Sequence, residues 1–345
     1  MDGVRPRAVT LDEVARRSGV SRATASRALN GRERVNPEVR ARVQMIADGL
    51  GYRPNVAARS LASGRVGVLG LVIPTGHLDR SPYEALLLEA VADAATGSGR
   101  GVMLWLAQSA PAPALRDGFR AGLVDGVVIS EVALSTSSWV EDLFDGPHPC
   151  VLVGNHPTRR DVVQVEVSNE TGARAAVDHL LDGGARRVAM IGGPAERTDS
   201  RDRRRGYDAA LAARGIEPEP ELVADGVFTI ESGYAAMRRL LEQHPDALFA
   251  ANDLMAAGAL RAMDEAGLRA PDDIAVVGFD DLPIAATTSP PLSTIRQDLA
   301  TVGAVAVDLL VGLLGRDPDS VPLRTLVETS LVVRGSTRPI VALSP

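Results

Sequence analysis

The sequence predicts an α/β protein led by a small all-helical segment, and three observations carry that prediction. Between Thr10 and Gly64, apolar residues recur at helical spacing between capping and stop signals. From Arg65 onward, short continuous apolar runs alternate with helix-like stretches, the pattern of parallel βαβ units. Charge divides at the same place. Residues 1–65 hold 13 arginines against 6 acids, a balance of +7, whereas the 345-residue chain as a whole stands at −7 and the remainder at −14. Such asymmetry points to a basic module that meets a polyanion, joined to an acidic body that does not.

The helical segment comes first. In "TLDEVARRSG", Thr10 stands at the N-cap with Glu13 three residues on, a capping-box spacing. Leu11, Val14 and Ala15 share one face, Gly19 is a C-terminal stop, and Val20 plugs the turn. Ser21 caps a second helix that runs to Asn30-Gly31. "NPEVRARVQMIADGLGY" predicts a third, with Asn36 as cap, Pro37 at the first helical position, and Val39, Val43, Ile46 and Leu50 on one face. A short fourth helix is expected from Asn55 to Gly64; at about two turns it would be marginal by itself in water.

The body follows as "VGVLGLVIP", a strand buried on both faces, then the helix "SPYEALLLEAVADAATGSG" with Pro82 at N1. "GVMLWLA", "VDGVVIS" and "CVLVGN" continue the strand series. A second series holds the helices "ETGARAAVDHLLDGGA", "RRRGYDAALAARG" and "LMAAGALRAMDEAG" and the strands "RRVAMIGG", "ALFAAND" and "IAVVGFDD". The tail "VETSLVVRGSTR" is expected to be one more strand. Two series of similar size predict two similar lobes rather than one wide sheet.

Composition narrows the class. Aromatic residues make up 3% of the chain, so a core must be built from Ala, Val and Leu. No apolar run approaches the ~20 residues that span a bilayer, and Met1–Thr10 has no apolar stretch of a secretory signal. The single cysteine, Cys150, excludes an internal disulfide and suits a reducing cytoplasm. The five histidines show no metal-protease spacing, and neither a nucleophile elbow nor a phosphate-binding loop is present. "GPHPCVLVGNH" brings His148, Cys150 and His156 close, but strand alternation reads Cys150 as a buried small hydrophobe rather than a ligand. No catalytic activity, cofactor or metal is expected.

Two helices joined by a Gly-containing turn form a helix-turn-helix, whose second helix can enter the major groove. Ala25, Ala28 and Leu29 would pack on the first helix. Ser21, Thr24 and Ser26 are short donors suited to phosphates, and Arg22 and Arg27 reach bases or backbone. A solvated arginine face on a plain helical bundle is the competing reading.

The stretch from Thr10 to Arg65, followed in order by "DGVVIS", "GARRVAMIGGP", "RRRGYDAAL", "ALFAANDLMAAGALRAMDEAG", "IAVVGFDD" and "PPLSTIRQD", resembles the lactose-repressor (LacI/GalR) family along nearly the whole chain. The resemblance implies a helix-turn-helix headpiece at 1–54, a hinge helix at 55–64 and an effector-binding core at 65–345 of periplasmic-binding-protein-like form. The core would have an N-lobe of about 65–165 with 297–325 and a C-lobe of about 166–296 with 326–345, the chain crossing between them three times. It places Arg22 and Ala23 where the operator is chosen, Arg27 and Asn30 at DNA contacts, and Leu61 on the leucine that wedges into the central base step. Asn55, opening the hinge, joins the DNA-binding set. Ala25 stands where valine is more usual. Two half-sites require a homodimer on double-stranded operator DNA.

Ligands of open α/β sheets bind at the carboxyl ends of strands. "ALFAAND" ends in Asn252-Asp253 and "IAVVGFDD" in Asp280-Asp281, while "RDRRRG", with Arg203 three residues before Gly206, precedes a helix. Asn, Asp and Arg together suit a polyhydroxylated ligand, and Phe228 offers an aromatic face. The resemblance assigns Arg203, Asn252 and Asp280 to the effector, with Gln297 in a crossover, Tyr83 at the pocket mouth and Phe228 within it. Ser168-Asn169 replaces the family's frequent Asp-Asn pair. The expected protein is a cytoplasmic, nucleoid-associated transcriptional repressor controlled by a small ligand, a sugar. The alternative is a solute-binding protein of the same two-lobed form without a DNA role.

Overall fold

The computed structural model describes residues 9–29, 35–52, 64–74, 82–107, 118, 121–130, 141–146, 148–156, 158–315 and 317–338. The chain divides into two compact units, Met1–Val66 and Gly67–Pro345. The predicted hinge helix, with Asn55 and Leu61, and Asn30 at the end of the second helix lie outside the described residues.

Among the described residues, the first unit holds three helices: α1 (Leu11–Ser18), α2 (Arg22–Leu29) and α3 (Pro37–Gly49). Their ends follow from the sequence. The Thr10 hydroxyl accepts from the Glu13 amide, and Gly19 stops α1 in the left-handed conformation at φ 65°. The amides of Gly19 and Val20 return to carbonyls in the last turn, closing a helix-terminating loop. The Ser21 hydroxyl accepts from Thr24 N at 3.1 Å, and Asn36 caps α3 by accepting from Glu38 N at 2.8 Å. Val14, Ala15, Ala25, Ala28, Val43 and Ala47 form the buried centre, and Leu29, Val39, Ile46 and Leu50 pack around it partly buried. Four of the six central residues are alanines, so the helices approach closely around little apolar volume.

The second unit is built from two six-stranded sheets. The N-lobe sheet has the order β11-β5-β4-β3-β1-β2, from β1 (Val68–Pro74), β2 (Gly101–Ala107), β3 (Gly126–Ser130), β4 (Cys150–Val153), β5 (Val163–Val167) and β11 (Arg324–Val327). All its pairings are parallel. Helices α4 (Pro82–Gly97) and α9 (Leu299–Leu313) cover one face, where Leu87, Val91, Val302, Ala306 and Leu310 meet Leu69, Leu71, Ile73, Val128 and Val151. Trp105, Val72, Ile129, Leu143 and Leu152 fill the other face.

The C-lobe sheet has the order β12-β10-β9-β8-β6-β7, from β6 (Val188–Gly192), β7 (Val223–Asp225), β8 (Ala247–Ala250), β9 (Ala275–Asp280), β10 (Ser293–Arg296) and β12 (Ser330–Val332). Its longer helices are α5 (Asn169–Asp182), α6 (Thr198–Ala213), α7 (Ile230–Leu240) and α8 (Asp253–Glu265). Phe249, Phe279, Met190, Ile191, Leu180 and Tyr207 centre its core, and the Tyr207 hydroxyl donates to Val188 O at 2.7 Å.

Three expectations are corrected. The tail is two strands, β11 in one lobe and β12 in the other, because Glu328-Thr329 carries the chain across between them. The β10–β12 pair is antiparallel, so the C-lobe sheet is mixed at that edge. Strands β5 and β7, too short or too polar to stand out as apolar runs, complete the two sheets. The chain passes between lobes after β5, after β10 and after β11. The first and third crossings are stitched together where Thr329 N donates to the Ser168 hydroxyl at 2.9 Å.

Candidate functional site

Helix α2 presents Ser21, Arg22, Ala23 and Arg27 as exposed residues while Ala25 and Ala28 are buried; Thr24 and Ser26 are half-buried. Six of the nine expected DNA contacts thus lie on or beside one short helix. Two of the hydroxyls also serve the helix: Ser21 Oγ caps it and lies 2.9 Å from Thr24 Oγ1. The Arg22 guanidinium lies 3.4 Å from the Asp12 carboxylate of α1, with both side chains about two-thirds exposed. A pair in such solvent contributes about 0–1 kcal/mol, so a DNA group can displace it at little cost.

In the second unit all six expected effector residues are described, and the fold draws them to the carboxyl ends of the strands. Arg203 lies inside α6, on its second turn, rather than ahead of the helix as expected, because the helix already starts at Thr198; it is 4% exposed. Its guanidinium lies over the Phe279 ring at 3.9 Å, donates to Asn169 Oδ1 at 2.9 Å and to Ala251 O, and lies 3.4 Å from Asp280 Oδ1. Asp280 ends β9 with φ 108°, a conformation uncommon for a non-glycine residue. Gln297, at the second crossing, donates from Nε2 to Asp280 Oδ1 at 2.6 Å. Asn252 N-caps α8 by accepting from Met255 N at 2.9 Å, and its Nδ2 donates to Phe228 O at 3.4 Å. Phe228, held at φ 60°, turns its ring toward Arg203. Arg197 lies over that ring at 4.9 Å, so a guanidinium occupies a face on which a sugar was expected to lie. Tyr83, half-buried at the start of α4, reaches the same place from the N-lobe; burial pushes its hydroxyl up, and the charges of Glu84, Asp280, Arg203 and Asp199 all act on it.

The neighbouring aspartates are held differently. Asp253 is fully buried, accepting from Leu282 N and the Thr294 hydroxyl, and so ties α8 to the loop after β9 and to β10. Asp281 accepts from Arg296 and Arg334.

Sequence reasoning missed several members of the cleft. Arg197 and Asp199 form a two-bond pair at the start of α6, with N···O distances of 3.0 and 2.5 Å. Burial works to raise the Asp199 carboxyl, but Arg197 and then Arg203 outweigh it and hold it at about 2. Burial pushes Asp280 up to about 6 against the opposing pull of Arg203 and Gln297. Glu84, beside Tyr83, is 1% exposed; it accepts from the Ser130 hydroxyl at 3.1 Å, and burial pushes it up to about 7. Arg197 and Asp199 sit in an Arg/Asp-rich stretch that reads as a solvated helix start, and Glu84 reads as an ordinary first-turn acid. Thr198 Oγ1 donates to Asn155 O at 3.1 Å, a direct bond between the lobes.

The His148–Cys150–His156 stretch is occupied structurally. Cys150 Sγ donates to Leu143 O and His148 O, and burial pushes its thiol up to about 12. His156 Nδ1 accepts from the amides of Thr158 and Arg159. Among the described residues, no group of three His, Cys, Asp or Glu is placed to hold a metal ion, and no helix is long and apolar enough to cross a membrane.

Comparison with known proteins bears on both units. Residues 10–55 match the model of the lacI family of bacterial regulatory proteins, and residues 177–337 match the periplasmic binding protein-like domain. The HTH-type transcriptional regulator CelR of Thermobifida fusca is 36% identical over 96% of this chain and 99% of its own length. The HTH-type transcriptional repressor CytR of Escherichia coli K12 is 30% identical over 96% of this chain and 97% of its own. Among solved structures, a CelR–cellobiose complex has a TM-score of 0.72 at 34% identity, covering 96% of this chain and 100% of that one. A lac repressor dimer bound to operator and the anti-inducer ONPF has a TM-score of 0.79 at 29% identity, covering 96% and 99%. Full-length likeness through helix-turn-helix, crossings and both lobes leaves one assignment: this chain belongs to the LacI family of DNA-binding transcriptional regulators.

Proposed function

We propose that this regulator is a repressor that binds a palindromic operator as a dimer through Ser21, Arg22, Ala23, Thr24, Ser26 and Arg27, with Asn30, Asn55 and Leu61 completing the contact. Arg22 and Ala23 read base edges and the hydroxyls hold phosphates. A small polyhydroxylated ligand, a sugar, lodges between the lobes against Tyr83, Arg203, Phe228, Asn252, Asp280 and Gln297. The domain division is that of headpiece 1–54, hinge 55–64 and core 65–345, acting in the cytoplasm on the nucleoid. The observation that carries this reading is the buried Arg203–Asp280 pair and the gathering of Gln297 at the crossing, Phe228 and Asn252 of the C-lobe and Tyr83 of the N-lobe around it.

Ligand closure alters how the lobes meet, and the change reaches DNA only through unequal affinity for two states of the dimer. The family match at residues 10–55 counts against the solute-binding alternative. The CelR–cellobiose complex makes cellobiose the first ligand to try. Selection of duplexes from a random library by the full chain defines the operator; anisotropy titrations with cellobiose and with ribose then test control. A selected palindrome whose affinity shifts with a bound sugar supports the proposal. Operator affinity unchanged by every sugar that binds the protein overturns it.

A further inference from the structure

Glu84 is a cleft residue outside the assigned set, and unlike Arg197 and Asp199, which pair with each other, it keeps an oxygen without a partner. It lies in the first turn of α4, beside Tyr83, and its Oε1 accepts from Ser130, the last residue of β3. Both residues therefore stand at the carboxyl edge of the N-lobe sheet, where open α/β sheets take ligands. The side chain is 1% exposed, and its second oxygen, Oε2, has no hydrogen-bond partner. A buried acceptor without a donor is destabilising, so its retention asks for a donor that arrives from elsewhere. Arg197 and Asp199, in the opposite lobe, are near enough for their charges to act on the Glu84 carboxyl.

The cations of the cleft point the same way. A phosphate or carboxylate ligand is held best by an open guanidinium fork. The Arg197 fork is turned onto both oxygens of Asp199, and Arg203 gives Nε to Asn169 and Nη1 to Ala251 O and Asp280 while stacked on Phe279. Against these two guanidiniums stand three carboxyl groups, the buried Glu84 and Asp280 and the half-buried Asp199. An anionic ligand would meet carboxyl groups on both walls, and neither Arg197 nor Arg203 offers it a guanidinium free of a carboxylate partner.

Resting on the effector cleft proposed above, we infer that Glu84 is the N-lobe contact for the effector, that its Oε2 accepts a ligand hydroxyl proton, and that it restricts the effector to unphosphorylated, uncharged sugars. Ser130 positions the carboxyl by holding Oε1. Selectivity arises because a phosphate would be desolvated next to like charge with no compensating donor.

Calorimetry on the full chain tests this with cellobiose, glucose and ribose against glucose 6-phosphate and ribose 5-phosphate. The variants are Glu84→Gln and Glu84→Leu, with Arg203→Ala as reference for the cleft itself. Expected is at least about 100-fold weaker binding of each phosphate than of its parent sugar. Glu84→Leu weakens the bound sugar about tenfold or more, and Glu84→Gln narrows the sugar-to-phosphate gap. Thermal melts of the variants monitor folding. Sugar binding abolished by Arg203→Ala but untouched by both Glu84 variants overturns the Glu84 assignment and leaves the cleft reading standing. Tight binding of a phosphorylated sugar overturns the charge argument. Binding of no sugar, phosphorylated or not, overturns the cleft reading and this inference with it.

Discussion

Arg203→Ala is the substitution with the sharpest consequence. In the folded chain the Arg203 guanidinium lies 3.4 Å from Asp280 Oδ1, with the two side chains 4% and 6% exposed. Removing one partner of a buried pair costs about 3–5 kcal/mol, mostly because the other charge is left behind. Here the charge left behind can escape by taking up a proton. Asp280 already sits at about 6, raised by burial and restrained by Arg203. Without the guanidinium its carboxyl rises further. Above pH ~6 the variant's native state then holds a proton that the parent's does not, so its stability relative to the parent falls as pH rises, by up to about 1.4 kcal/mol per pH unit. Below that pH both carboxyls are neutral and the penalty shrinks to lost stacking on Phe279 and lost hydrogen bonds to Asn169 and Ala251. Urea unfolding followed by circular dichroism at about pH 5.5 and about pH 8 reads the difference. The expected result is a penalty larger at the higher pH by 1 kcal/mol or more. A penalty equal at both would refute the claim that Arg203 holds the Asp280 charge. Arg203→Lys should not rescue sugar response, since an ammonium cannot reproduce the planar stack and fork.

Four further outcomes follow from other parts of the molecule. Glu84→Gln removes a carboxyl raised by burial from 4.5 to about 7; such a group costs the native state stability as pH rises through that window, so the variant should gain on the parent by up to about 3 kcal/mol between pH ~4.5 and ~7, read by urea midpoints. Gly258→Ala should destabilise despite about 1 kcal/mol of helix propensity gained, because a Cβ there would lie 2.0 Å from Ile230 O and 2.7 Å from Tyr234 N; forcing α7 and α8 apart costs more, about 1–3 kcal/mol, and an unchanged melting temperature would count against it. Val14→Ala removes the fully buried valine of α1 from a core otherwise made largely of alanine; a loss of about 2 kcal/mol should abolish DNA binding while leaving sugar affinity intact by calorimetry. Arg22→Ala should weaken binding to a selected operator by about 1–3 kcal/mol and relax preference at one base position in each half-site, which anisotropy on single-base variants would show.

The first unit was legible in detail because its signals are local. Thr10, Gly19, Ser21, Asn36 and Pro37 each act on backbone within a few residues, so caps and stops could be read from spacing alone. The lobes were legible as alternation, and the two least regular strands were not: β7 spans only Val223–Asp225, and β5 carries Gln164 and Glu166 among its valines. Their strand character comes from a neighbour's edge, not from their own residues. The tail shows the same limit, since nothing in "VETSLVVRGSTR" marks the point between Val327 and Ser330 where the chain leaves one sheet for the other.

The candidate cleft divides along the same line. Asp280, Asn252 and Arg203 could be picked out as polar residues at strand ends or a helix start, because an α/β fold makes those positions special before any coordinate is known. Their pairing could not. Arg203 meets Asp280 across 77 positions of sequence and Glu84 meets Ser130 across 46. Phe228 was read as an open aromatic face until tertiary packing set Arg197 over it. Sequence alone determined the headpiece helices, the two-lobed alternation and the charge division, since these rest on local propensity, apolar period and composition. Which charges are buried, which are neutralised and which acceptor is left waiting was decided only by folding, because desolvation and Coulomb attraction act between residues that the chain itself keeps far apart.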